Sequence, residues 1–583
     1  MSDKMKPIPF KELLLQGALE YRERGSFYYV PVKLPEIGGH EGTPIGPAAG
    51  PHTQLAQNIL AAYAGGARYF ELKTVQVLDG EALGIVKPCI YVKDEAYNTE
   101  WSSELTAYEA LEEYIKAWIL LKLLIKEFSL GSTDGFVFNM SVGYNLEGIQ
   151  SDKIDYFIES MKDAKDTPIF SQCIEDALAL LHIFHNVTSE DILSVETRVS
   201  DTITLSTMHG CPAEEIEEIT TYLLTKKNVN TYLKCNPTLL GEAEIKNILN
   251  DMGYGYINFA SDIFKHDISF ERVVELINCL QKIGYEHQQI FGIKLTNTFP
   301  VKIRGNELTG QTMYMSGAPL YLISIGVAAK LSQVIDRNIP ISYSGGADEK
   351  NIGDIYDTGI SPITVSTLLL KRGGYSNLSK LNQAIAHREP KSPGQIDSEK
   401  LVELWSKAKQ DKNYYKPKTK PTIKASKDYT SYCAKCNSCI DVCPNRANFS
   451  LIRELDNRVE DASNNTLKKE DILKKEETLL KKETSIKARY ILHKDGVCNE
   501  CGNCSYFCIL GHIPYKEKFT LYESIEDFYD SSNTGVYKQD GNLTLRIDGT
   551  VLEGKREDLT MVSKEILNVL DAIENESMIL GTL

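Results

Sequence analysis

Eight of the 13 cysteines lie in two short runs in the last third of the chain. The first run is CAKCNSCIDVCP and the second is CNECGNCSYFC, and both follow the pattern C-x2-C-x2-C-x3-C. Three thiolates at this spacing wrap a tight loop around one iron–sulfur cube, and where two cubes are bound together the last cysteine of each run serves the other cube. The pattern therefore predicts two [4Fe–4S] clusters. Their ligands are Cys433, Cys436, Cys439 and Cys508 for one cluster, and Cys443, Cys498, Cys501 and Cys504 for the other.

Structural zinc is the alternative for these cysteines. Zinc takes four tetrahedral ligands, usually as two C-x2-C pairs separated by a spacer. It leaves no role for the third cysteine of each run, or for Pro444 directly after the first run, so the spacing favours iron–sulfur clusters. The odd total of cysteines also argues against a secreted disulfide framework. The scattered cysteines are Cys89, Cys173, Cys211, Cys235 and Cys279.

The length and charge of the chain narrow the classes of function. With 583 residues, the chain is long enough for two or three domains. Its formal net charge of −16 argues against binding to nucleic acid. There is no run of about 18 or more apolar residues, and the first residues contain no apolar signal segment. We therefore expect a soluble, cytoplasmic protein that does not insert into a membrane.

The N-terminal two thirds of the chain have the pattern of a parallel α/β domain. Residues 40–390 alternate short apolar runs with helical periodicities. Eight candidate strands over this length favour a (β/α)8 TIM barrel over an open sheet, and a further run, Tyr256–Ala260, is ambiguous. The predicted strands are Thr43–Gly46, Tyr69–Val75, Phe136–Met140, Thr202–Ser206, Thr231–Cys235, Phe291–Thr296, Pro340–Tyr343 and Ile363–Ser366. The predicted helices include Ser103–Phe128, Ala213–Thr225, Phe270–Ile283 and Pro319–Asp336.

Composition divides the chain into four predicted parts. They are the barrel at 1–390, a Lys/Pro-rich linker at 391–430, a bacterial-type two-cluster ferredoxin-like domain at 431–515 with a helical insertion at 445–490, and a C-terminal extension at 516–583. The middle of the insertion, 468–487, alternates Lys and Glu around apolar positions seven residues apart, which predicts an amphipathic helix. This helix is either a solvated surface or a docking surface for a partner.

The predicted barrel strands end in polar or glycine residues one after another. In a TIM barrel these ends meet at one face, where the chemistry takes place. The backbone amides of Gly345 and Gly346, with the turn after Val365, would hold a phosphate at the usual position after the last two strands. Because iron–sulfur clusters lie on the same chain, the expected phosphate-bearing cofactor is FMN, which exchanges two-electron for one-electron chemistry. The candidate residues are Ala49, Gly50, Lys73, Thr74, Asn139, Cys211, Lys234, Asn236, Asn297, Gly345, Gly346, Ser366 and Thr367.

These residues resemble those of the dihydroorotate and dihydropyrimidine dehydrogenases, which bind FMN in a TIM barrel. The resemblance rests on Lys73-Thr74, Lys234, the TNT segment 296–298, the paired glycines and Ser366-Thr367. It implies that the strand-end residues Ala49, Gly50, Lys73, Thr74, Lys234, Gly345, Gly346, Ser366 and Thr367 bind FMN. It also implies that Cys211, in a Cys-Pro loop, acts as the general acid. Lys73 and Lys234 would stabilise negative charge, and Asn139, Asn236 and Asn297 would bind the substrate.

A wider resemblance covers both parts of the chain and is to YgfK-type selenate reductase subunits. It rests on TMHGCP at 207–212, CIDVCPNRA at 439–447 and CNECGNC at 498–504. The large members of that family also contain an FAD and pyridine-nucleotide region. Here the nearest glycine pattern, GYGYIN at 253–258, lacks the final glycine of a dinucleotide fingerprint. We therefore expect a separate FAD/NAD(P)H reductase or ferredoxin as electron partner.

Three functions are consistent with these patterns. The first is an iron–sulfur flavoprotein oxidoreductase, in which electrons pass between two [4Fe–4S] clusters and FMN to reduce, or in the opposite direction oxidise, a small heterocyclic substrate. The second is an electron-transfer subunit of a larger reductase, with catalysis on a partner chain. The third is a barrel without flavin that binds another phosphorylated ligand.

Overall fold

The computed structural model describes most of the chain. The described residues are 4–35, 43–78, 80–99, 102–207, 209–305, 307–388, 394–417, 433–455, 486–559 and 561–576. Within these ranges, no helix has the length and apolar character needed to cross a bilayer.

The chain begins with a helix and a short hairpin that lie outside the barrel strands. Helix α1 (Phe10–Arg24) ends at Gly25, whose φ of 62° is left-handed, and strands β1 (Ser26–Phe27) and β2 (Val30–Pro31) pair in antiparallel. The buried face of α1 includes Leu13 and Leu14, both 0% exposed. This segment therefore forms part of the core around the barrel.

Eight parallel strands in the described residues form the barrel. From the second strand onward, each pairs in parallel with the next in chain order, and the last pairs with the first. The amide of Arg68 donates to the Ile45 carbonyl at 3.0 Å, which joins the first two strands and closes the barrel. The strands are β3 (Ile45–Pro47), β4 (Tyr69–Glu71), β7 (Val137–Val142), β8 (Thr202–Leu205), β9 (Asn230–Cys235), β10 (Phe291–Leu295), β13 (Ile341–Tyr343) and β14 (Ile363–Val365).

A second sheet of four antiparallel strands, here called the cover sheet, is inserted into the barrel sequence. Two of its strands follow β4 and two follow β10. Residues from three of these strands line the main cavity at the barrel mouth. The strands are β5 (Ile90–Val92), β6 (Glu95–Asn98), β11 (Phe299–Lys302) and β12 (Thr312–Gly317).

Helices surround the barrel. The longest, α3, begins with a capping box in which Thr106 and Glu109 bond reciprocally, and its apolar residues are buried against α2 and α5. The helices after α1 are α2 (Ala56–Ala64), α3 (Ala107–Phe128), α4 (Leu146–Ile149), α5 (Asp152–Lys162), α6 (Pro168–Ala179), α7 (Ser189–Leu193), α8 (Ala213–Thr225), α9 (Glu242–Asp251), α10 (Ile263–His266), α11 (Phe270–Glu286), α12 (Ala318–Leu331), α13 (Ile352–Asp357), α14 (Asn377–Ile385) and α15 (Ser398–Ala408).

The eight predicted barrel strands and four predicted helices are present, with ends that shift by a few residues. Tyr256–Ala260 is not a strand. The cover sheet was not predicted, because its strands of 3–6 residues lack a clear alternation of apolar and polar residues.

The remaining described residues, 433–455 and 486–576, form what we call the cysteine-rich part. It contains a six-stranded sheet in the order β15 to β20. The strands are β15 (Asn448–Leu455), β16 (Ile486–Lys494), β17 (Thr520–Tyr522), β18 (Gly535–Gln539), β19 (Asn542–Ile547) and β20 (Thr550–Gly554). The helices are α16 (Ser438–Asp441), α17 (Asn503–Phe507), α18 (Pro514–Glu517), α19 (Ile525–Asp530) and α20 (Lys564–Asn575).

This sheet corrects two of the expectations. The insertion at 445–490 begins and ends in strands rather than helix, since β15 and β16 pair in antiparallel over eight residue pairs. Most of the predicted Lys/Glu helix lies outside the described residues, and its last two residues begin β16. The C-terminal extension is not separate from the cysteine-rich part, because β17 pairs in parallel with β16 and continues the same sheet.

The cysteine-rich part packs directly on the barrel. Cys443, Ala447 and Val497 belong to the same buried apolar cluster as the barrel core. Polar contacts reinforce this interface: Asn58 Nδ2 donates to Asn445 Oδ1 at 3.0 Å, and the Tyr375 hydroxyl donates to the carbonyl of residue 444 at 2.6 Å. The barrel core therefore extends into the cysteine-rich part, whose sheet also has an apolar cluster of its own.

Candidate functional site

The C-terminal ends of the barrel strands surround a cavity of about 350 Å³, here called the barrel cavity. This volume lies within the usual range for small-molecule and cofactor sites. All nine residues predicted to bind FMN line it. They are Ala49, Gly50, Lys73, Thr74, Lys234, Gly345, Gly346, Ser366 and Thr367.

One side of the cavity presents backbone amides. Helix α12 begins at this wall, with Gly317 and Ala318 lining the cavity and no side chain capping its first turn. The uncapped amides and the positive end of the helix dipole favour an anion. Gly345 and Gly346 lie beside them, and a Cβ atom at Gly346 would be 2.5 Å from the Gly317 carbonyl oxygen. The close approach of these backbones therefore requires glycine at this position, and the residues present fit a phosphate group.

The floor of the cavity is formed by Lys234, which lines it, beside two buried charged residues, Glu71 and Lys294, which do not line it. Lys234 and Lys294 are neighbours in the register of β9 and β10, and Glu71 on β4 accepts an ion pair from Lys294 Nζ at 2.7 Å. Burial would raise the pKa of Glu71, but the two lysines outweigh it and lower the pKa. Burial lowers the pKa of Lys234. Lys234 has no hydrogen-bond or ion-pair partner within the described residues, so its ammonium is available to a ligand in the cavity.

The three predicted substrate-binding asparagines are placed differently from one another. Asn297 lines the barrel cavity and donates through Nδ2 to Asn236 Oδ1 at 2.7 Å. Asn236 lines a separate small cavity, so it acts on the barrel cavity only through Asn297. Asn139 is 1% exposed, donates to Thr204 Oγ1 at 2.8 Å and does not line the barrel cavity. Of the three asparagines, only Asn297 is therefore placed to contact a substrate in the barrel cavity directly.

Cys211, the predicted general acid, does not line the barrel cavity either. It borders the small second cavity, with its thiol 3.8 Å from Glu215 Oε2. Burial and the Glu215 carboxylate raise the pKa of the Cys211 thiol to about 12. The position of the Cys211 thiol and its raised pKa both differ from what is expected of a proton donor that faces a substrate in the barrel cavity.

His209, two residues earlier, does line the barrel cavity. Its Nδ1 lies 2.8 Å from Asp267 Oδ2, and its Nε2 lies 3.2 Å from the Thr298 carbonyl oxygen. Asp267 also accepts from the Gly210 amide and from Thr238 Oγ1. Burial would raise the pKa of Asp267, but these hydrogen bonds lower it, so the carboxylate stays charged beside the imidazole. This loop therefore presents histidine rather than cysteine to the cavity.

The two cysteine runs form loops with the same backbone conformation. In the first, Lys435 and Asn437 have φ of 48° and 60°, and in the second, Glu500 and Gly502 have φ of 48° and 86°. Each loop is followed by a short helix that carries the third cysteine. In each loop, the backbone amide two residues after the first cysteine donates to that cysteine's sulfur, at 3.3 and 3.4 Å. Left-handed non-glycine residues are uncommon, so their recurrence at matching positions shows that the two loops are built alike.

The four thiols of each predicted ligand set lie near one another. Burial raises the pKa of Cys439 to about 12, and the thiols that add to this effect are those of Cys433, Cys436 and Cys508. Burial likewise raises the pKa of Cys498, and the contributing thiols are those of Cys443, Cys501 and Cys504. Cys508, the last cysteine of the second run, therefore lies near the thiols of the first run, and Cys443, the last of the first run, lies near those of the second. Among the described residues, no three His, Cys, Asp or Glu side chains converge to hold a single metal ion.

The two ligand sets have different surroundings. The loop with Cys498, Cys501 and Cys504, here called the inner loop, contacts the barrel. The Ile90 amide donates to the Cys501 carbonyl at 2.9 Å, and Asn503 Nδ2 donates to the Leu370 carbonyl at 3.0 Å. Ile90 and Leu370 also line the barrel cavity, so they join it to the inner loop. In the outer loop, with Cys433, Cys436 and Cys439, the first two cysteines are partly exposed.

Several residues at the site were not among the predicted ones. Glu71 and Lys294 lie within apolar strand sequences, FELK and GIKL, where a charged residue signals a barrel interior. Asp267 lies in a loop whose proximity to His209 no local pattern reveals. Ile90 belongs to the cover sheet, which the sequence patterns did not predict.

A parallel eight-stranded barrel with a cavity at its strand ends defines a TIM-barrel protein. The sequence comparisons show the family of TIM-barrel proteins to which it is related. Residues 31–416 match the family described as oxidoreductase YgfK, N-terminal TIM-barrel domain. The chain belongs to this family of oxidoreductases.

Two relatives are proteins named oxidoreductase YgfK from Escherichia coli, strain K12 and O157:H7. Each is 44% identical over 426 residues, and the match covers 69% of this chain but only 41% of the relative. Neither name specifies selenate, so the selenate reductase description is still a prediction. A solved structure of the DHODH of Eimeria tenella in complex with ferulenol is also similar, with 16% identity, a TM-score of 0.38 and coverage of 66% of this chain and 92% of that one. This similarity is too low to assign a function.

Proposed function

We propose that the chain is an FMN- and iron–sulfur-dependent oxidoreductase that acts on a small heterocyclic substrate. The single observation that carries the proposal is the contact between the inner loop and the cavity wall at Ile90 and Leu370. It brings a predicted cluster site next to a predicted flavin site. When bound, the clusters would supply one-electron chemistry and FMN two-electron chemistry, so neighbouring sites allow exchange between them.

The support for FMN comes from the chemistry of the cavity lining. Uncapped amides at the start of α12 and the paired glycines suit the phosphate. The unpaired ammonium of Lys234 suits an electron-rich edge of the ring, because a buried cation stabilises negative charge that develops nearby. Lys73, which is 3% exposed, adds a second positive charge to the same cavity.

The support for two [4Fe–4S] clusters comes from the paired loops. Zinc needs four ligands that converge on one ion, and among the described residues no three His, Cys, Asp or Glu side chains converge on a single ion. Each proposed cluster would instead take three cysteines from one loop and the fourth from the other. Amide-to-sulfur bonds and left-handed residues recur at matching positions in both loops. This repetition suits two equivalent cubes with crossed fourth ligands.

In this proposal the residues of the cavity bind and orient the substrate and hold a proton. Asn297 offers an amide to the substrate, and Asn236 fixes its orientation. His209 is the candidate for proton transfer at the cavity, but its Nδ1 contacts Asp267 and its Nε2 contacts the Thr298 carbonyl, so the imidazole would need to leave Thr298 to act on a substrate. Cys211 would need to leave its contact with Glu215 to act there.

The first experiment measures cofactors in the purified chain after anaerobic reconstitution. We expect one FMN and about eight irons per chain. Ser366→Asp should expel FMN, because a carboxylate would face the phosphate, while Ser366→Ala should retain it. A chain that folds, binds iron and takes up no FMN would contradict the proposal and favour another phosphorylated ligand.

A second experiment tests for a separate electron partner, and it also distinguishes the alternative of an electron-transfer subunit. We expect the chain to turn over a dihydropyrimidine or purine analogue with an artificial dye, and to remain inactive with NADH or NADPH alone. FMN without turnover on any small molecule, but with rapid cluster reduction by a ferredoxin or reductase, would favour the electron-transfer subunit. Direct reduction by either nucleotide would contradict the need for a separate FAD/NAD(P)H reductase or ferredoxin.

A further inference from the structure

The charged residues at the floor of the barrel cavity form an uneven group of three. Lys234 and Lys294 lie side by side on neighbouring strands, an arrangement of like charges that costs stability. Glu71 is the carboxylate that offsets them, and it is 0% exposed. One carboxylate therefore balances the charges of two ammonium groups.

The hydrogen bonds of Lys294 show which of the two lysines pairs with Glu71. Lys294 Nζ lies 2.7 Å from Glu71 Oε2 and also donates to Thr364 Oγ1 at 2.7 Å and to Ser342 Oγ at 3.3 Å. Thr364 in turn donates to the same Glu71 oxygen at 3.2 Å. Lys234 takes no part in this network. Glu71 is therefore fixed on Lys294, while Lys234 lines the cavity.

We propose that Lys294 is a charge-balancing residue, which holds Glu71 away from Lys234 and so leaves the Lys234 ammonium to the group bound in the cavity. This inference rests on the proposed flavin function. Lys294 does not line the cavity, so its effect reaches the ligand through Glu71 and Lys234. It is thus a positioning residue rather than a catalytic one.

The consequence is a higher redox potential for the bound flavin. Reduction adds electron density to the ring, and a positive charge beside the ring stabilises that state. The interaction is strong because Glu71 and Lys294 are 0% and 1% exposed, and buried charges are poorly screened. Without Lys294, Glu71 would pair with Lys234, and the floor would lose one positive charge.

The test compares flavin midpoint potentials in the reconstituted full chain. Lys294→Met should lower the ratio of reduced to oxidised flavin at a fixed potential at least tenfold, which is about 30 mV for a two-electron couple. The double variant Glu71→Gln/Lys294→Met should restore the potential, because Lys234 again has no counter-ion. A residue that only stabilised the fold would give no such recovery.

A second buried ion pair supplies the matched control. Glu113 and Lys116 form an ion pair on α3, at 0% and 5% side-chain exposure, and neither lines the cavity. Lys116→Met should therefore leave the potential unchanged. An equal shift in Lys116→Met and Lys294→Met would overturn the inference, as would an unchanged potential in Lys294→Met.

A variant that keeps all three charges covers the case in which Lys294→Met does not fold. Thr364→Val removes the hydroxyl that bonds both Lys294 and Glu71, and we expect a smaller shift in the same direction. No shift in this variant would also contradict the inference. A wild-type chain that takes up no FMN would instead contradict the proposed function itself, so the two failures are distinguishable.

Discussion

The inner and outer loops share a backbone conformation but not their surroundings. Both place left-handed residues between their cysteines, and the third cysteine of each loop, Cys439 or Cys504, is 7% exposed. The inner loop packs on Pro88 and Ile90 and has one partly exposed cysteine, Cys498, whereas the outer loop has two, Cys433 and Cys436. The spacing of the cysteines thus determines the conformation of the loop, and the neighbours of the loop determine which part of the molecule it contacts.

The residue between the second and third cysteines shows this difference most directly. It is Gly502 in the inner loop and Asn437 in the outer loop, both with positive φ. A Cβ atom at Gly502 would lie 2.4 Å from Pro88 Cβ. The inner loop therefore uses glycine for close approach to the barrel, while the outer loop accommodates a side chain.

The largest expected effect is a difference between two substitutions, one at the third cysteine of the inner loop and one at the third cysteine of the outer loop. Cys504→Ser and Cys439→Ser should each remove one cluster, about half the iron. Only Cys504→Ser should also lower FMN affinity, at least about tenfold, because it loosens the cavity wall at Ile90 and Leu370 by about 1.4 kcal/mol or more. Iron and flavin contents per chain measure both effects. Equal flavin loss in the two variants would remove the distinction between inner and outer loops.

The next prediction tests the crossed fourth ligands. Cys443 belongs to the first run but lies among the thiols of the inner loop. Cys443→Ser should therefore abolish the paramagnetic signal of the same reduced cluster as Cys504→Ser, and Cys508→Ser should match Cys439→Ser. If Cys443→Ser instead affected the cluster of the outer loop, the ligand assignment would be wrong.

Exchanging the residue types at positions 502 and 437 of the two loops has a smaller expected effect, on the stability of the protein. Gly502→Asn keeps a residue type that tolerates positive φ, but its Cβ would overlap Pro88. We expect it to destabilise the protein by about 1–3 kcal/mol. Asn437→Gly should cost less than about 1 kcal/mol, since glycine also adopts the positive φ of this position. Thermal unfolding of both variants checks the difference, and similar losses would show that the barrel contact does not matter.

The smallest expected effect is a pH dependence of stability. Burial lowers the pKa of His493, in the cysteine-rich part, to about 4, and that of His52, in the barrel, to about 3. In both cases the unfolded chain binds the proton more readily, so stability falls as the pH drops below the unfolded pKa of about 6.5. At pH 5.5 each histidine should cost about 1.4 kcal/mol relative to pH 7.5. Unfolding of His493→Gln and His52→Gln, compared with wild type at both pH values, measures the two slopes separately.

The barrel could be predicted from the sequence because its strands are buried and apolar. Each of the eight runs, such as Phe291–Leu295, is bounded by helical periodicity, and a buried parallel strand has that appearance. The nine predicted cofactor residues meet at one cavity because parallel strand ends converge in this fold. Their role in binding FMN is still a prediction.

The remaining parts depend on contacts between residues distant in sequence. Cys211 follows a strand end, as the prediction required, but the loop turns its thiol toward Glu215 and presents His209 to the cavity instead. The end of the insertion at 486–490 is a strand because β15, at the start of the insertion, provides its partner. Lys/Glu alternation in the sequence gave no indication of this pairing.

The shared core has a consequence for how the protein is made in the cell. Cys443, Ala447 and Val497 fill part of the barrel core, yet they are synthesised after all eight barrel strands. Until then the nascent barrel leaves an apolar surface open to chaperones and proteases. If the inner loop binds the proposed cluster, cluster delivery would hold these residues in place, so a cell short of iron–sulfur assembly factors should lose the whole polypeptide rather than accumulate an empty barrel.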